Sequence, residues 1–425
     1  MNDHPAEPMA EQAVALTGLA DLYRDLHAHP ELSFQELRTA GIVADVLSEQ
    51  GYDVTGGVGG TGVVGVLRNG RGPTVLLRAD MDALPVAEDT GLPYASTVRG
   101  IDSDGNDVPV MHACGHDMHV VCLLGAADRL AAERDAWSGT VVAVFQPAEE
   151  IGAGAQAMID DGFLDRFPRP DICLGQHVVP IPAGYVGLRA GPTMAAADSL
   201  RVVLHGRGGH GSMPHATVDP VVMAASTVLR LQGIVAREVD PKDSAVLTVG
   251  SLQAGSKENI IPDRAELKLN VRTYTEHVRT RVLAAITRVV EAEATASGAP
   301  RPPEITELNS FPLTSNDETA THRVRAALTD GLGADRVLEL PPAQGSEDFG
   351  TFGTSAGVPS VFWFTGGVDP AETARFLEAM AAGSLPEGTP GNHSPQYAPC
   401  IEPAIETGVR ALRAGAMAWL GGGPA

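Results

Sequence analysis

The chain has 425 residues, of which 44% are hydrophobic, and it carries a formal net charge of −23. Its length predicts two domains, and its acidic surplus excludes a nucleic-acid partner, because phosphate binding requires clustered Lys and Arg. No apolar run reaches the ~18 residues that a membrane span needs, which excludes a membrane partner.

The first part of the chain alternates between helical and strand patterns. Helical periodicity covers residues 12–50, with a break at residues 29–36 (HPELSFQE), and a further helical pattern covers residues 120–134. Strand patterns lie at GVVGVL (62–67), TVLLRAD (74–80), GTVVAVF (139–145) and DICLGQHV (171–178). Strands that alternate with helices predict an α/β catalytic domain whose mixed sheet is flanked by helices.

A different order of elements begins near Ala195. The patterns that follow are a strand (199–206), a helix (219–234), two strands (244–253 and 265–274), a long helix (275–297) and a last strand (302–309). This β-α-β-β-α-β order predicts a ferredoxin-like α+β domain inserted into the first one. The α/β pattern then resumes. The predicted boundaries are residues 1–194 and 311–425 for the catalytic domain and residues 195–310 for the insertion.

Side chains that bind metals follow several of the predicted strands. In an open α/β sheet, ligands bind beyond the carboxyl ends of the strands. The candidate donors come from separate segments of the chain: Asp80, Asp82, Cys114, His116, Glu149, Glu150, His177 and His393. Thiolate, imidazole and carboxylate together are typical of sites for borderline divalent cations such as Mn, Zn, Ni or Co.

The segment MHACGHDMH (111–119) is compatible with two local conformations. Cys114 and His116 converge on one ion only from loop backbone, because residues two apart point to different sides of a helix. The alternative is a helix that aligns the three histidines of the segment on one face. Gly115 favours the loop, since it would cost a helix ~1 kcal/mol, and Asp117 is the predicted N-cap of the helix that follows.

The adjacent pair Glu149 and Glu150 matches the needs of a hydrolytic metal site. Such a site requires one carboxylate that binds the metal and a second acid that takes a proton from the attacking water. Structural alternatives remain for each residue. A glutamate pair is also typical of a solvated surface, His177 of a buried core histidine, and His393 of a turn beside Pro395. The joint occurrence of all these donors favours the metal site.

Nine short motifs occur in one order: RADMDALP, HACGHDMH, FQPAEE, LGQHV, GRGGHGSMPH, ENIIP, NVRTY, GSEDF and NHSPQY. As a set they resemble the amidohydrolase branch of the aminoacylase and carboxypeptidase metallopeptidase family, which includes hippurate hydrolases and indoleacetyl-amino-acid hydrolases. The resemblance extends from His27 to the last predicted helix. It implies a catalytic domain with two divalent metal ions and an inserted lid domain that forms a homodimer or a higher homo-oligomer.

The resemblance also implies roles for single residues. Five would bind the two ions, with the thiolate bridging them: Cys114, His116, Glu150, His177 and His393. Glu149 matches the catalytic base, Asp82 matches a carboxylate that orients a ligand or its surroundings, and Asp80 lies behind the ligands.

Four more implied positions lie towards the second half of the chain. His210 matches a residue that polarises the scissile carbonyl, in its own site or in that of the partner subunit. Asn259 and Arg272 match residues that bind the carboxylate of the substrate, and Glu347 matches a substrate-binding position near the metals. The structural alternatives are a surface salt bridge for Arg272 and a helix cap for Glu347.

The expected activity is the hydrolysis of a small N-acyl amino acid, hippurate-like or N-acetylated, to a carboxylic acid and a free amino acid. The alternatives are a dipeptidase or carboxypeptidase of the same family and a non-catalytic metal-binding relative. No secretory signal is visible at the N-terminus, and the four cysteines are expected to be reduced thiols. The expected compartment is therefore the cytoplasm.

Overall fold

The computed structural model describes residues 9–382, 386 and 388–421, and the chain divides into two compact units. The first unit runs to Thr193 and also contains Ser315–Pro341 and the chain from Asp348 onward. The second unit consists of Met194–Thr314 and Pro342–Glu347. The short segment Pro342–Glu347, which the predicted boundaries assign to the catalytic domain, thus belongs to the second unit.

The helices are α1 (Met9–Ala28), α2 (Leu37–Glu49), α3 (His116–Ala132), α4 (Gly154–Asp160), α5 (Phe163–Arg166), α6 (Pro220–Glu238), α7 (Glu276–Ala296), α8 (Glu318–Leu332), α9 (Gly350–Ala356), α10 (Thr373–Ala381) and α11 (Ala404–Leu420). The strands of the first half are β1 (Asp53–Val58), β2 (Gly62–Asn69), β3 (Thr74–Asp80), β4 (Arg99–Ile101), β5 (Asp107–Pro109), β6 (Gly139–Gln146), β7 (Ile172–Pro182), β8 (Val186–Leu188) and β9 (Gly191–Met194). The remaining strands are β10 (Ala196–His205), β11 (Gly209–His210), β12 (Ala245–Ala254), β13 (Ile260–Ile261), β14 (Arg264–Thr273), β15 (Glu304–Phe311), β16 (Thr314–Asn316), β17 (Val337–Glu339) and β18 (Ser360–Val368). None of the helices in the described residues is long and apolar enough to cross a membrane.

The first unit is built on an eight-stranded mixed sheet in the order β1-β2-β6-β3-β7-β18-β8-β17. Its centre, β6-β3-β7-β18, is parallel, whereas β1 and β2 are antiparallel to their neighbours. β3 and β6 are buried over almost their whole length. Strands covered by helices on both faces are expected to be continuously apolar in this way. The predicted α/β class is confirmed.

The second unit contains a four-stranded antiparallel sheet in the order β12-β14-β10-β15. Buried residues of α6 and α7 pack with the sheet in one apolar cluster, which includes Val202, Leu231, Leu267 and Ile286. Along the chain the elements follow the predicted β-α-β-β-α-β order, so the ferredoxin-like architecture is confirmed. Its first strand, β10, lies in the middle of the sheet between β14 and β15.

Candidate active site

Neighbouring parallel strands bring several of the predicted donors to one edge of the main sheet. Asp80 is the last residue of β3, and Asp82 follows two residues later. β6 lies beside β3 and is followed by Glu149 and Glu150. His177 lies in β7, the other neighbour of β3. The carboxyl ends of parallel strands meet at a single edge, and residues distant in sequence come together there.

The segment that contains Cys114 is a loop that leads into α3. The helix begins at His116, and Gly115 precedes it with a left-handed φ of 86°. His112 lies outside the helix, so the loop interpretation is confirmed and the three-histidine helix is wrong. The prediction that Asp117 caps the helix is also wrong. Gly115 occupies the cap position, and Asp117 is buried in the first turn, 2.6 Å from a histidine of α1.

Two groups of potential metal ligands share the sulfur of Cys114. In one group its partners are His116 and His177, and in the other they are Glu150 and His393, with all ligand atoms of a group within 4.8 Å of one another. Cys114 Sγ is 3.4 Å from His177 Nε2. His393 Nε2 is also 3.4 Å from Glu150 Oε2. Metal–ligand bonds of ~2.0–2.3 Å separate two ligands of a tetrahedral ion by about 3.3–3.7 Å, so these spacings fit cations.

Two buried polar atoms in these groups lack a hydrogen-bond partner among the described residues. They are His116 Nε2 and Glu150 Oε1, which face each other across 3.8 Å. That separation is too long for a hydrogen bond. Buried polar atoms are rarely left unsatisfied in proteins. A divalent cation bound by each of the two groups would give both atoms a partner, which makes this residue set suitable for metals.

Both buried histidines of the groups have their other ring nitrogen already bonded. His116 Nδ1 lies 3.3 Å from Asp82 Oδ1, to which it donates. His177 Nδ1 donates to the backbone oxygen of Val178 (2.7 Å). Each bond holds a proton on Nδ1, so Nε2 is the ring nitrogen that can bind a metal, as in histidines that bind metals. His177 therefore does more than fill the core, because its second nitrogen faces a thiol.

Negative charge dominates this part of the first unit. Burial alone would lower the pKa of His116, but Asp80, Asp82 and Glu150 raise it to about 10. Burial, together with repulsion from the two aspartates, raises the pKa of Glu150 to about 8 despite the attraction of His116. Burial and the neighbouring glutamates raise the pKa of the Cys114 thiol well above its ordinary value. A divalent cation would relieve this repulsion and stabilise the thiolate.

His119, one turn beyond His116 in α3, joins β3 to β7. Its Nε2 accepts the backbone N–H of Val178 (2.8 Å), so its proton lies on Nδ1, which donates to Asp80 Oδ1 (2.5 Å). Its ring packs against that of His177 at 4.5 Å between centroids. Asp80 also accepts from the buried Arg78 (2.7 Å). These contacts fix both the ring of His177 and the strand that carries it.

The turn after β6 places the two glutamates side by side. Ala148, just before them, has a φ of 49°, which is uncommon for a residue other than glycine. Asp82 accepts the backbone N–H of Glu149 (3.1 Å) with Oδ1 and that of Glu150 (3.0 Å) with Oδ2. Glu149 is buried, and its Oε2 lies 3.9 Å from His116 Nε2. Asp82 thus orients a candidate ligand and both glutamates.

His393 reaches the group from a loop near the end of the chain. Its backbone φ is 71°, and its N–H donates to the oxygen of Ala113 (2.8 Å). The preceding Asn392 donates to the backbone oxygens of Cys114 (2.9 Å) and Val178 (3.1 Å). The His393 side chain is 57% exposed, whereas the other donors are buried or nearly so. The hydrogen bonds of the His393 N–H and of the Asn392 side chain maintain the strained backbone conformation of His393.

Known proteins share this arrangement of sequence and fold. The sequence pattern of peptidase family M20/M25/M40 matches residues 76–389, most of the chain. The chain belongs to peptidase family M20/M25/M40.

Named relatives of the M20 chain are hydrolases. Thermostable carboxypeptidase 1 of Saccharolobus solfataricus is 38% identical over 82% of this chain and 85% of its own length. N-acetyl-L-cysteine deacetylase of Bacillus subtilis is 39% identical over 82% and 80%. Hippurate hydrolase of Campylobacter jejuni is 40% identical over 77% and 82%. The resemblance to the amidohydrolase branch is confirmed, and the M20 chain is a hydrolytic enzyme that acts on amide bonds.

A solved structure extends the likeness to the fold. The YXEP protein of Bacillus subtilis, described as a dinuclear metal-binding peptidase of the M20 family, superposes with a TM-score of 0.74. It is 30% identical and covers 96% of the M20 chain and 99% of its own. This similarity supports the assignment of both units to one fold family.

The second unit of the M20 chain brings His210 and Asn259 together. A two-stranded ribbon pairs β11 with β13, so His210 lies opposite Ile260, and Gly211 N–H donates to Asn259 O (2.8 Å). His210 Nδ1 accepts the backbone N–H of Ser212 (3.1 Å). The proton of the neutral ring must then lie on Nε2, which makes that nitrogen a hydrogen-bond donor.

Arg272 and Glu347 also lie in the second unit. Arg272 Nη1 donates to Gln344 O and Ser346 Oγ, both at 2.9 Å. Among the described residues no carboxylate forms an ion pair with Arg272, so the surface salt bridge is wrong. Glu347 is fully buried, and its backbone oxygen accepts from Thr314 Oγ1 (3.1 Å).

Sequence reasoning missed several residues that support the candidate site of the M20 chain. His119 stands in the same motif as His116, and its spacing of one helical turn was the available signal. Asn392 stands beside His393 in the last motif. Arg78 stands two residues before Asp80, inside a strand pattern in which a buried charge is unexpected. His119 and Asn392 have no obvious partner within their own segments, whereas Arg78 bonds to Asp80 in the same strand.

Proposed function

We propose that this M20 hydrolase cleaves N-acyl amino acids to a carboxylic acid and a free amino acid, with the help of two divalent metal ions. The observation that carries the proposal is the pair of ligand groups that share Cys114, with a buried acid, Glu149, directly beside them. Relatives named as a deacetylase of N-acetyl-L-cysteine and a hydrolase of hippurate support the substrate class.

The proposed ligands of the two ions are Cys114, His116, Glu150, His177 and His393. Ions such as Mn, Zn, Ni or Co would supply Lewis acidity, which acidifies a water molecule and polarises a carbonyl. The solved relative described as dinuclear supports two ions rather than one. Asp82 orients the proposed ligand His116 through its Nδ1. Asp80 bonds to His119, whose ring packs against the proposed ligand His177.

Glu149 is the proposed general base. It is held by the bond from its backbone N–H to Asp82, and its carboxylate lies near His116 Nε2. In this position it takes a proton from the attacking water and later delivers that proton to the leaving nitrogen. Glu150, its neighbour, lies 3.4 Å from His393 and serves as a ligand instead.

Four residues of the second unit complete the proposal. Nε2 of His210 carries the proton in the neutral ring, which suits a group that donates to the scissile carbonyl and stabilises the negative charge that develops there. Arg272, which forms no ion pair with a carboxylate in the described part of the chain, would bind the carboxylate of the substrate, for which its planar fork is suited. Asn259 would donate to the same carboxylate, and Glu347 is placed near the substrate by the resemblance.

The first experiment changes Glu149 to Gln in metal-reconstituted protein. Turnover is expected to fall ~10²–10⁴-fold, because the amide cannot take a proton, while the metal content measured by mass spectrometry stays unchanged. The matched variant Glu150→Gln is expected to lose metal as well as turnover. Unchanged turnover in Glu149→Gln would refute its role as the base.

A carboxypeptidase acting on short peptides is the second candidate, and the identity to thermostable carboxypeptidase 1 favours it. A panel of hippurate, N-acetyl amino acids and dipeptides separates the two, because N-acyl substrates have no charged amino group near the scissile bond. The proposal predicts higher kcat/KM for the N-acyl amino acids. Higher values for peptides with a free N-terminus would favour the peptidase.

We also propose that the second unit acts as a lid and forms the contact of a homodimer. β12 is an edge strand of its sheet and exposes Val246 and Leu252, while α6 exposes Val222 and Leu229. An open edge beside apolar side chains is a common template for a second copy. Leu229→Asp is expected to reduce the mass in sedimentation experiments to that of a monomer, whereas Leu308→Asp on the opposite edge strand is not.

The proposed compartment is the cytoplasm. Its support is that all four cysteines are unpaired thiols, of which only Cys400 is partly exposed. Unpaired cysteines of this kind are typical of a reducing environment.

A further inference from the structure

We propose that Glu36, in the loop between α1 and α2, is a positioning residue for the turn that carries Glu149 and Glu150. The inference rests on the proposed function, because it concerns the same two glutamates. The contacts that support it are nevertheless independent of any metal or substrate, and they can be measured without turnover.

Three successive backbone amides in this turn donate to two buried carboxylates. Ala148 N–H donates to Glu36 Oε1 (2.9 Å), and the next two N–H groups donate to the two oxygens of Asp82 (3.1 and 3.0 Å). We call Glu36, Asp82 and these three amides the carboxylate clamp. Hydrogen bonds to charged acceptors are about twice as strong as neutral ones, so the clamp fixes the backbone of both glutamates.

The conformation of the loop shows why a carboxylate stands at position 36. Phe34 and Ala148 are two of the three non-glycine residues with positive φ in the described part of the chain, at 61° and 49°. The N–H groups of both donate to the same atom, Glu36 Oε1, at 2.9 Å each. One carboxylate oxygen therefore stabilises two strained backbone positions, one in each segment.

Burial of the Glu36 carboxylate carries a free-energy cost. It is fully buried, and its other oxygen accepts from Thr61 Oγ1. Among the described residues no Lys, Arg or His forms an ion pair with it. Burial and the nearby Asp82 raise its pKa to about 7. A buried carboxylate without a counter-ion is disfavoured unless its hydrogen bonds compensate. One of the bonds of Glu36 holds Ala148, where the backbone conformation determines the positions of Glu149 and Glu150.

Ala148 controls the direction of the two side chains that follow it. Its carbonyl accepts from Gly154 N–H (3.1 Å) at the start of α4, while its N–H is held by Glu36. If the N–H were released, Ala148 could return to a more common φ, and the peptides of Glu149 and Glu150 would rotate. Misplacement of a catalytic group by ~1 Å can cost about 10²-fold in rate.

Hydrogen–deuterium exchange of the full chain, resolved to peptides by mass spectrometry, tests the clamp directly. In Glu36→Met, which cannot accept, exchange in residues 147–150 is expected to be roughly tenfold faster because local opening becomes easier. Glu36→Gln keeps an oxygen acceptor and should restore most of the protection. Peptides from β14 in the second unit serve as the internal reference.

Glu31→Met is the matched control. Glu31 lies in the same loop and also accepts two backbone N–H groups, those of Arg38 and Thr39, both at 2.8 Å. Neither of them belongs to the clamp. Glu31→Met should therefore leave exchange in residues 147–150 at the wild-type level, even if it destabilises the loop.

Kinetics supply the second readout. With metal supplied in excess, Glu36→Met is expected to lower kcat about 10²-fold with little change in KM, and Glu36→Gln is expected to recover most of kcat. Wild-type exchange in Glu36→Met, or equal losses in Glu31→Met, would overturn the proposal. If the wild-type enzyme cleaves no N-acyl amino acid or peptide, the proposed function fails instead, and the exchange measurement still decides the clamp.

Discussion

Replacing Asp82 with Asn tests whether this carboxylate orients the proposed ligands. The side chain keeps its size but exchanges one oxygen for an NH₂ group, which donates and cannot accept. In the wild type Oδ1 accepts from Glu149 N–H and from His116 Nδ1, and Oδ2 accepts from Glu150 N–H and from Ser33 Oγ (2.6 Å). The variant must lose an acceptor on one of these two sides.

The geometry predicts that the NH₂ group introduced by Asp82→Asn takes the position of Oδ2. If NH₂ replaced Oδ1, it would oppose both the N–H of Glu149 and the Nδ1 proton of His116. If it replaces Oδ2, the Ser33 hydroxyl can turn to accept, and only the N–H of Glu150 loses its partner. An unpaired buried amide costs ~1–3 kcal/mol, so we expect the metal-free variant to lose about that much free energy of unfolding, measured by denaturant titration.

Metal affinity should fall as well. A carboxylate that supports a ligating histidine typically contributes ~10–100-fold in affinity, and the neutral amide also removes one negative charge from the group. Competition with a coloured chelator measures the dissociation constant of the reconstituted protein. Asp171→Asn is the control, since Asp171 also accepts a backbone N–H, that of Thr74 (2.7 Å), but at the opposite end of β3. Unchanged affinity in Asp82→Asn would refute the orienting role.

Three further outcomes are expected. His119→Phe keeps the ring but loses the bond to Val178 N–H, so its metal affinity in the same titration should drop ~10–100-fold; equal affinity would contradict the link between β3 and β7. Removing metal with a chelator should lower the thermal midpoint, and reloading should restore it, because a ligand at 100 times its Kd adds ~2.7 kcal/mol to stability. Burial alone would lower the pKa of His27, but Asp117 and Glu88 raise it to about 10, above the ~6.5 of an unfolded chain. The stability that His27 contributes is therefore complete below pH ~6.5 and is lost as the pH rises through about 10. The free energy of unfolding of His27→Gln, measured by denaturant titration, should decline less steeply over that range than that of the wild type.

Elements with strong periodicity could be predicted from the sequence because their own residues determine them. TVLLRAD coincides with β3, and the helical pattern of residues 275–297 matches α7 to within one residue at each end. The hairpin of β4 and β5 was not predicted, since strands of three residues carry too little periodicity to be recognised. Propensity predicts Asp117 as the cap of α3, but a buried histidine in α1 bonds to that carboxylate instead.

The candidate donors could be predicted because donor types that suit metals are rare near strand ends. The residues that hold them in place could not. His119 bonds to a backbone N–H of β7 that is 59 residues away, and Glu36 bonds to an amide 112 residues away. Such partners are backbone groups, which look the same in every sequence. Only the fold brings them within reach.

Cys114 differs from the other candidate ligands in the reactivity of its sulfur. Because both ligand groups include this one atom, the loss of Sγ as a ligand would disrupt both groups together. An oxidant or alkylating agent that converted the thiol to a sulfinate or a thioether would weaken both proposed cation positions in a single event, and excess metal would not reverse the damage. Nitrogen and carboxylate ligands do not share this vulnerability, so the handling of the protein under air becomes part of any measurement of its activity.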